Sequence, residues 1–236
     1  MATNPAENEA IRLLDELVCR AVPHPCVLVS QNTGAVASRG ENEGVRISEA
    51  PPDADLRRRA GHYEILGETY AKLEFFEHGW NPYARFLDVD KVDFILRRRE
   101  TNRPVYREVQ VKYGKLFHCT LKWELPLFDI TSWRFFREDE FDTFLDHSDF
   151  FVAYVLAEDS GYRGDIFIFP VRDFASLLRV AIPSGDKKKV YISRLKDRPE
   201  KWVLRKLNKF STVDDSSTVD VSRYRRNFCA LLSERA

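Results

Sequence analysis

The chain carries no net charge: 37 Lys and Arg stand against 37 Asp and Glu in 236 residues. It has no apolar run approaching the roughly 20 residues that a bilayer-crossing helix needs, so no membrane span is expected. No basic start followed by an apolar stretch opens it, so no secretory leader is expected and the reading is cytoplasmic. Its four cysteines, Cys19, Cys26, Cys119 and Cys229, include no CxxC pair. That spacing argues against a zinc site or a disulfide framework and for buried, reduced thiols. There is no GxxxxGK(S/T) loop and no GxGxxG turn, so nothing in the sequence supports a nucleotide-fuelled motor. His24, His62, His78, His118 and His147 are scattered without metal-ligand spacing, and Ser160-Gly161 lacks the context of a nucleophile elbow.

What is present is enough to fold. Hydrophobic residues make up 44% and aromatics 13% of the chain, which supports one sizeable core and argues against disorder. The zero net charge hides an uneven distribution. Residues 91–122 hold nine Lys/Arg against three Asp/Glu, and residues 185–226 hold thirteen against six. Between them, residues 135–175 hold three against ten. Two basic zones therefore flank an acidic one.

Helical spacing of Ile11, Leu14, Leu17, Val18 and Ala21 predicts an amphipathic helix over 7–22, halted by Pro23 and Pro25. Short strands follow at 26–30 and 45–49, and Pro51-Pro52 mark a boundary. A helix over 53–78 presents Leu66, Tyr70, Leu73 and Phe76 or Glu77 on one face, with Gly79 as its C-cap. Residues 80–86 are extended, and strands at 92–96 and 105–113 bracket a basic turn. Further strands are expected at 117–123, 151–156 and 165–170, and helices at 138–145, 173–180 and 221–232. This order implies an α/β fold with a mixed central sheet flanked by helices. It comprises an N-terminal extension at 1–60, a core at 61–180, and a basic C-terminal segment at 181–236 that packs on or extends the core.

Chemistry concentrates at Asp93 and, 17 positions later, Gln110-Val111-Lys112. Alternate side chains of a strand share a face, so Glu108, Gln110 and Lys112 point one way and Val109, Val111 and Tyr113 the other. A short hairpin makes the Asp93 strand adjacent. Phosphodiester hydrolysis needs a divalent cation, an activated water and a fixed positive charge on the transition state. Asp93 offers a hard oxygen to Mg²⁺ (or Mn²⁺), the Gln110 carbonyl a neutral second ligand, and the Val111 main-chain carbonyl a third. Lys112 could orient or help deprotonate the water, or stabilise developing negative charge.

Gly67-Glu68 in a helix, Gly79-Trp80, Val92-Asp93-Phe94 and Val109-Gln110-Val111-Lys112 together resemble the PD-(D/E)xK nuclease superfamily, in its branch with Gln at the second acid. The resemblance covers about residues 61–121. It implies a restriction-endonuclease-like core and a metal-dependent DNA endonuclease. In it Glu68 matches the helical glutamate that supports the metal through water, Asp93 the central acid, and Lys112 the catalytic lysine. Gln110 removes one formal charge, for which Glu108 or Glu68 could compensate.

Arg97, Arg98, Arg99, Arg103 and Arg107 on or beside the hairpin, with Lys115, could grip phosphates. DNA is the expected partner, RNA the alternative, and a homodimer is open because two-strand cutting usually needs two sites. Tyr191, Trp202 and Tyr224, interleaved in the basic tail, could stack on bases or belong to the core. Plainer readings stand beside these. Asp93 could pair with one of Arg97 to Arg99, Lys112 and Gln110 could sit on an open sheet face, and Glu68 could be solvated, with Glu64 and Glu74 as competitors. Two other functions also fit: a nuclease-fold module that binds nucleic acid without cutting, and a subunit that docks a protein through acidic residues 138–149.

Overall fold

The computed structural model describes residues 52–84, 91–100 and 103–232, with the backbone alone for 52–60. The chain divides into two compact units, Met1–Arg59 and Ala60–Ala236; the core and the site belong to the second. The helix expected at 7–22 and the strands expected at 26–30 and 45–49 lie outside the described residues.

Helix α1 (Pro52–Glu77) opens on a proline, whose fixed φ suits a first helical position. It stops at Gly79, as its sequence predicts. Gly79 has φ +78°, a conformation that costs a residue without Cβ nothing. Trp80 N–H donates to the Phe75 carbonyl at 2.9 Å and Gly79 N–H to that of Phe76 at 3.0 Å, a Schellman closure. Phe75 and Trp80 are buried in one cluster, which locks the turn. The inward stripe differs from the expected one. Gly67, Ala71, Glu74 and Phe75 are buried, whereas Leu73 and Phe76 are 58% and 71% exposed. Small residues at 67 and 71 let the helix approach the sheet, and that closeness outweighs the larger side chains one position away.

Ten strands follow the fold's logic of alternation. They are β1 (Asn81–Ala84), β2 (Phe94–Arg99), β3 (Pro104–His118), β4 (Phe128–Arg137), β5 (Phe150–Glu158), β6 (Gly161–Pro170), β7 (Ile182–Ser184), β8 (Lys187–Leu195), β9 (Trp202–Arg205) and β10 (Thr218–Asp220). The first half of β3 joins a mixed layer in the order β1-β2-β3-β5-β6, in which only β3 and β5 run parallel. Its last residues pair with β4, which leads through β8 and β9 to β10. The segment expected to pack on or extend the core is woven into the sheet between Ile182 and Asp220, with β8 hydrogen-bonded along β4.

Strand β5 shows why both faces are apolar. Phe150, Val152, Tyr154 and Leu156 enter one core, and Phe151, Ala153 and Val155 enter the other. A strand covered on both faces reads as a continuous apolar run, as this one does. Helix α1 and the C-terminal Phe228 and Leu231 cover the second core. Helix α2 (Val171–Val180) lays Val171, Phe174, Ala175, Leu177 and Leu178 into the first. The β4–β8–β9 layer folds over that same face, with Phe167 edge-on to Trp202 at 5.4 Å. Truncating such a ring typically costs about 3–5 kcal/mol.

Three expected elements take other forms. Strand β3 already ends at His118, and turns rather than a strand occupy most of 119–127. Turns and a short 3-10 helix, Asp142–Phe144, replace the helix at 138–145. Two 3-10 turns, Ser222–Tyr224 and Phe228–Leu231, replace the closing helix. Cys119 is a buried free thiol, and Cys19 and Cys26 lie outside the described residues. Among the described residues no helix is long and apolar enough to cross a membrane.

Candidate functional site

A fork in the pairing of β3 creates the site. Strand β2 accompanies β3 from Pro104 to Val109, and β4 joins the same strand at Leu116 to His118. The opposite edge of β3 is held throughout by β5, from Glu108 to Lys115. In the gap between β2 and β4, side chains replace main-chain partners. Asp93 N–H still donates to the Val109 carbonyl at 2.9 Å. Its carboxylate then turns back, and Oδ2 accepts the Val111 N–H at 2.5 Å. Further along, Arg134 of β4 donates to the Tyr113 carbonyl at 2.9 Å. The Val111 carbonyl lies on this same edge, because a strand residue's N–H and C=O point to one side.

Helix α1 reaches the gap through Gly67. A Cβ there would lie 3.1 Å from the Tyr113 Cβ, so even an alanine would require Tyr113 or the helix to give by a few tenths of an ångström. Tyr63 stacks on Tyr113 with ring centroids 5.1 Å apart. Glu64 and Glu68, one turn apart on the same helical face, are thereby brought to the gap. The resulting cavity of about 190 Å³ is lined by Glu64, Glu68, Asp93, Gln110, Val111, Lys112, Tyr113 and Arg134. All four side chains singled out from sequence, Glu68, Asp93, Gln110 and Lys112, share it, together with Val111.

Two of them have telling surroundings. Gln110 is 6% exposed, and its Oε1 is buried without a hydrogen-bond donor. Leaving a buried amide oxygen unpaired costs roughly 1–3 kcal/mol, so stability alone does not explain a glutamine here. Lys112 Nζ lies 2.9 Å from Glu140 Oε1, with both side chains less than one-fifth exposed. Glu140 belongs to the turn after β4, and it holds the lysine's position and charge at the cavity wall.

Comparison with models of known protein families, with curated proteins and with solved structures gives no match.

The chemistry therefore rests on the residues themselves. Among the described residues no three Asp, Glu, His or Cys side chains gather closely enough to hold a metal alone. The donor set that fits a hard cation is mixed. It consists of the carboxylates of Asp93 and Glu68, the unpaired oxygen of Gln110, and the Val111 carbonyl at the fork. Oxygen-only sets of this kind suit Mg²⁺ or Mn²⁺.

Other sequence-predicted residues are distributed differently. Glu108 lines a separate pocket of about 620 Å³ with Ile95, Tyr106 and His147, so Glu64 rather than Glu108 is the additional acid at the cavity. Glu74 is buried, accepting from Tyr162 and Arg226 at 2.6 and 2.7 Å. Arg107 is also buried, donating to Leu231 O, Tyr106 O and Asp149 Oδ1. It braces the fold and is removed from the phosphate grip. Arg97 is held by the hydroxyls of Tyr106 and Tyr83. Arg98, Arg99 and Arg103 stay at the hairpin surface, and Lys115 pairs with Asp159 at 2.7 Å. In the C-terminal basic zone, Arg194, Arg205, Arg225 and Arg226 form ion pairs with Asp129, Glu124, Asp165 and Glu74. Much of its positive charge is therefore neutralised within the fold. Trp202 and Tyr224 are core residues, and Tyr191 is half-buried.

Arg134 and Glu140 escape a reading of the sequence. Each acts on β3 across more than twenty residues of chain, and no local spacing signals that.

Proposed function

We propose that this chain is a divalent-cation-dependent endonuclease of PD-(D/E)xK type, with a restriction-endonuclease-like core that hydrolyses phosphodiester bonds in DNA. The observation that carries the reading is the single cavity that Asp93, Glu68, Gln110 and Lys112 line together. Asp93, Glu68, Gln110 and the Val111 carbonyl would hold the cation. A bound divalent ion supplies charge neutralisation at the phosphate and a more acidic water. Lys112, positioned by Glu140, presents a fixed positive charge to the phosphate oxygens or directs the attacking water. Arg134 adds a second positive charge at the cavity wall, where it can hold a phosphate oxygen. Arg98, Arg99 and Arg103 on the β2–β3 hairpin offer sequence-independent contacts to the backbone.

The test is nicking of supercoiled plasmid in Mg²⁺ or Mn²⁺, with Asp93→Ala and Lys112→Ala as controls. Metal-dependent nicking that both substitutions abolish supports the reading. A folded protein that cuts nothing across metal and salt conditions overturns it. The Lys112–Glu140 pair, which engages the lysine's charge within the fold, favours a second reading, a module of the same fold that binds nucleic acid without cutting. That module would retain nucleic acid regardless of Asp93→Ala.

A further inference from the structure

The outer face of the β3–β4–β8 layer is aromatic and solvent-exposed. Trp133 and Phe135 on β4 are 40% and 42% exposed, and Phe117 on β3 is 40% exposed. In the strand register Trp133 lies opposite Tyr191 and Phe135 opposite Lys189, while Phe117 faces Thr131. All of these side chains point away from the core, since Ile130, Phe136, Val190 and Ile192 occupy the other face. The Lys189 ammonium sits among the rings, 4.4 Å from Trp133, 5.7 Å from Phe135 and 4.6 Å from Tyr191.

Three large aromatics on one open sheet face would be covered by a partner at a gain in stability. The central lysine decides which partner. An apolar protein surface would bury that charge without an anion, which is unfavourable. A polynucleotide supplies both needs, with bases for the rings and phosphates for the lysine. The face is also continuous with the fork. Phe117 and Tyr113 lie on the same face of β3, about 13 Å apart at the rise of an extended chain.

We infer that this face is a stacking platform for single-stranded nucleic acid, and that it leads an unpaired strand toward the Asp93–Lys112 cavity. The inference builds on the nuclease reading but is tested apart from it. Binding is measured in EDTA, on the full chain and on its Asp93→Asn form, by anisotropy of labelled 20-mers of oligothymidylate, oligouridylate and a DNA duplex. Either single strand should bind about tenfold or more tightly than the duplex at equal salt. The tighter of the two homopolymers then identifies the sugar preferred. Trp133→Ala and Phe135→Ala should each weaken single-strand binding about tenfold without changing the thermal melt, because both side chains are largely exposed. Lys189→Gln should flatten the salt dependence. Equal affinity for duplex, indifference to the ring substitutions, or a dimer that Trp133→Ala dissociates while no single strand binds would each overturn the platform. Single-strand binding without cleavage in Mg²⁺ removes the nuclease reading alone. Cleavage without single-strand preference removes this inference alone.

Discussion

Val111 donates its main-chain N–H to Asp93 Oδ2 at 2.5 Å, in the gap where β2 has left β3 and β4 has not yet joined it. One carboxylate thus closes the sheet edge and faces the cavity. The two duties separate by substitution. Asp93→Asn keeps an acceptor oxygen for Val111, whereas Asp93→Ala leaves that N–H unpaired, at a cost of about 1–2 kcal/mol. In urea denaturation the alanine variant should be the less stable by that amount, and the asparagine variant close to the parent. Plasmid nicking should fall at least about 100-fold in both. An asparagine variant that nicks at the parental rate would take Asp93 out of the chemistry.

Gln110 tests the cation more directly. Gln110→Glu places a second formal charge beside Asp93, and ligand charge tunes affinity for hard ions. Titration with Mn²⁺, followed by calorimetry, should show tighter binding than the parent. The melting temperature of the variant should be lower in EDTA, from charge repulsion, and should rise more steeply with Mn²⁺. Gln110→Leu should melt no lower than the parent, because it removes an unpaired buried oxygen, and should lose the Mn²⁺ response. If the Glu and Leu variants respond to Mn²⁺ alike, no cation is held at Gln110.

The pairing of Lys112 with Glu140 carries a stability prediction. Both side chains are largely buried, at 13% and 17% exposure, so removing one charge strands the other. Lys112→Met alone should cost about 2–3 kcal/mol, and Lys112→Met with Glu140→Gln less than that, because a fully neutral pair leaves no stranded ion. A double-mutant cycle in urea measures the coupling. Strict additivity would mean that the contact does not hold the lysine.

Asp93, Gln110 and Lys112 were legible in the sequence because period-two alternation and a short hairpin fix their shared side and neighbouring strands. Gly79 as a helix stop and the helix at 173–180 were legible for similar local reasons. The face of α1 was not, since Gly67 is selected by its distance to Tyr113 rather than by hydrophobicity. Segment 138–145 has the composition of a helix, yet Glu140 is drawn to Lys112 and Phe141 is fully buried, and those contacts outweigh propensity. Arg107 reads as one of a basic run, and only the packing of the C-terminus against β3, through Leu231 O, shows it to be structural. The nearly neutral chain also concealed how its arginines are used, because ion pairs such as Arg205–Glu124 join residues 81 apart.

Cys119 gives the fold a pH signature. Burial raises its thiol from an ordinary 9.0 to about 11, with the nearby Glu124 carboxylate acting in the same direction and Arg205 opposing it. The native protein therefore keeps the thiol proton at pH values where the unfolded chain has lost it. Below about pH 9 both states are protonated, and Cys119 adds no pH dependence. Between about 9 and 11 the native state holds more protons, so stability falls as pH rises. Urea midpoints collected from pH 8 to 10.5 should decline less steeply for Cys119→Ala than for the parent. In the same protein at pH 8, iodoacetamide should leave the Cys119 peptide unmodified until urea is added, because little thiolate is present in the native state. Equal slopes for the two proteins, or rapid native alkylation at 119, would mean that the thiol is neither as enclosed nor as close to Glu124 as the packing of β4 and β9 requires.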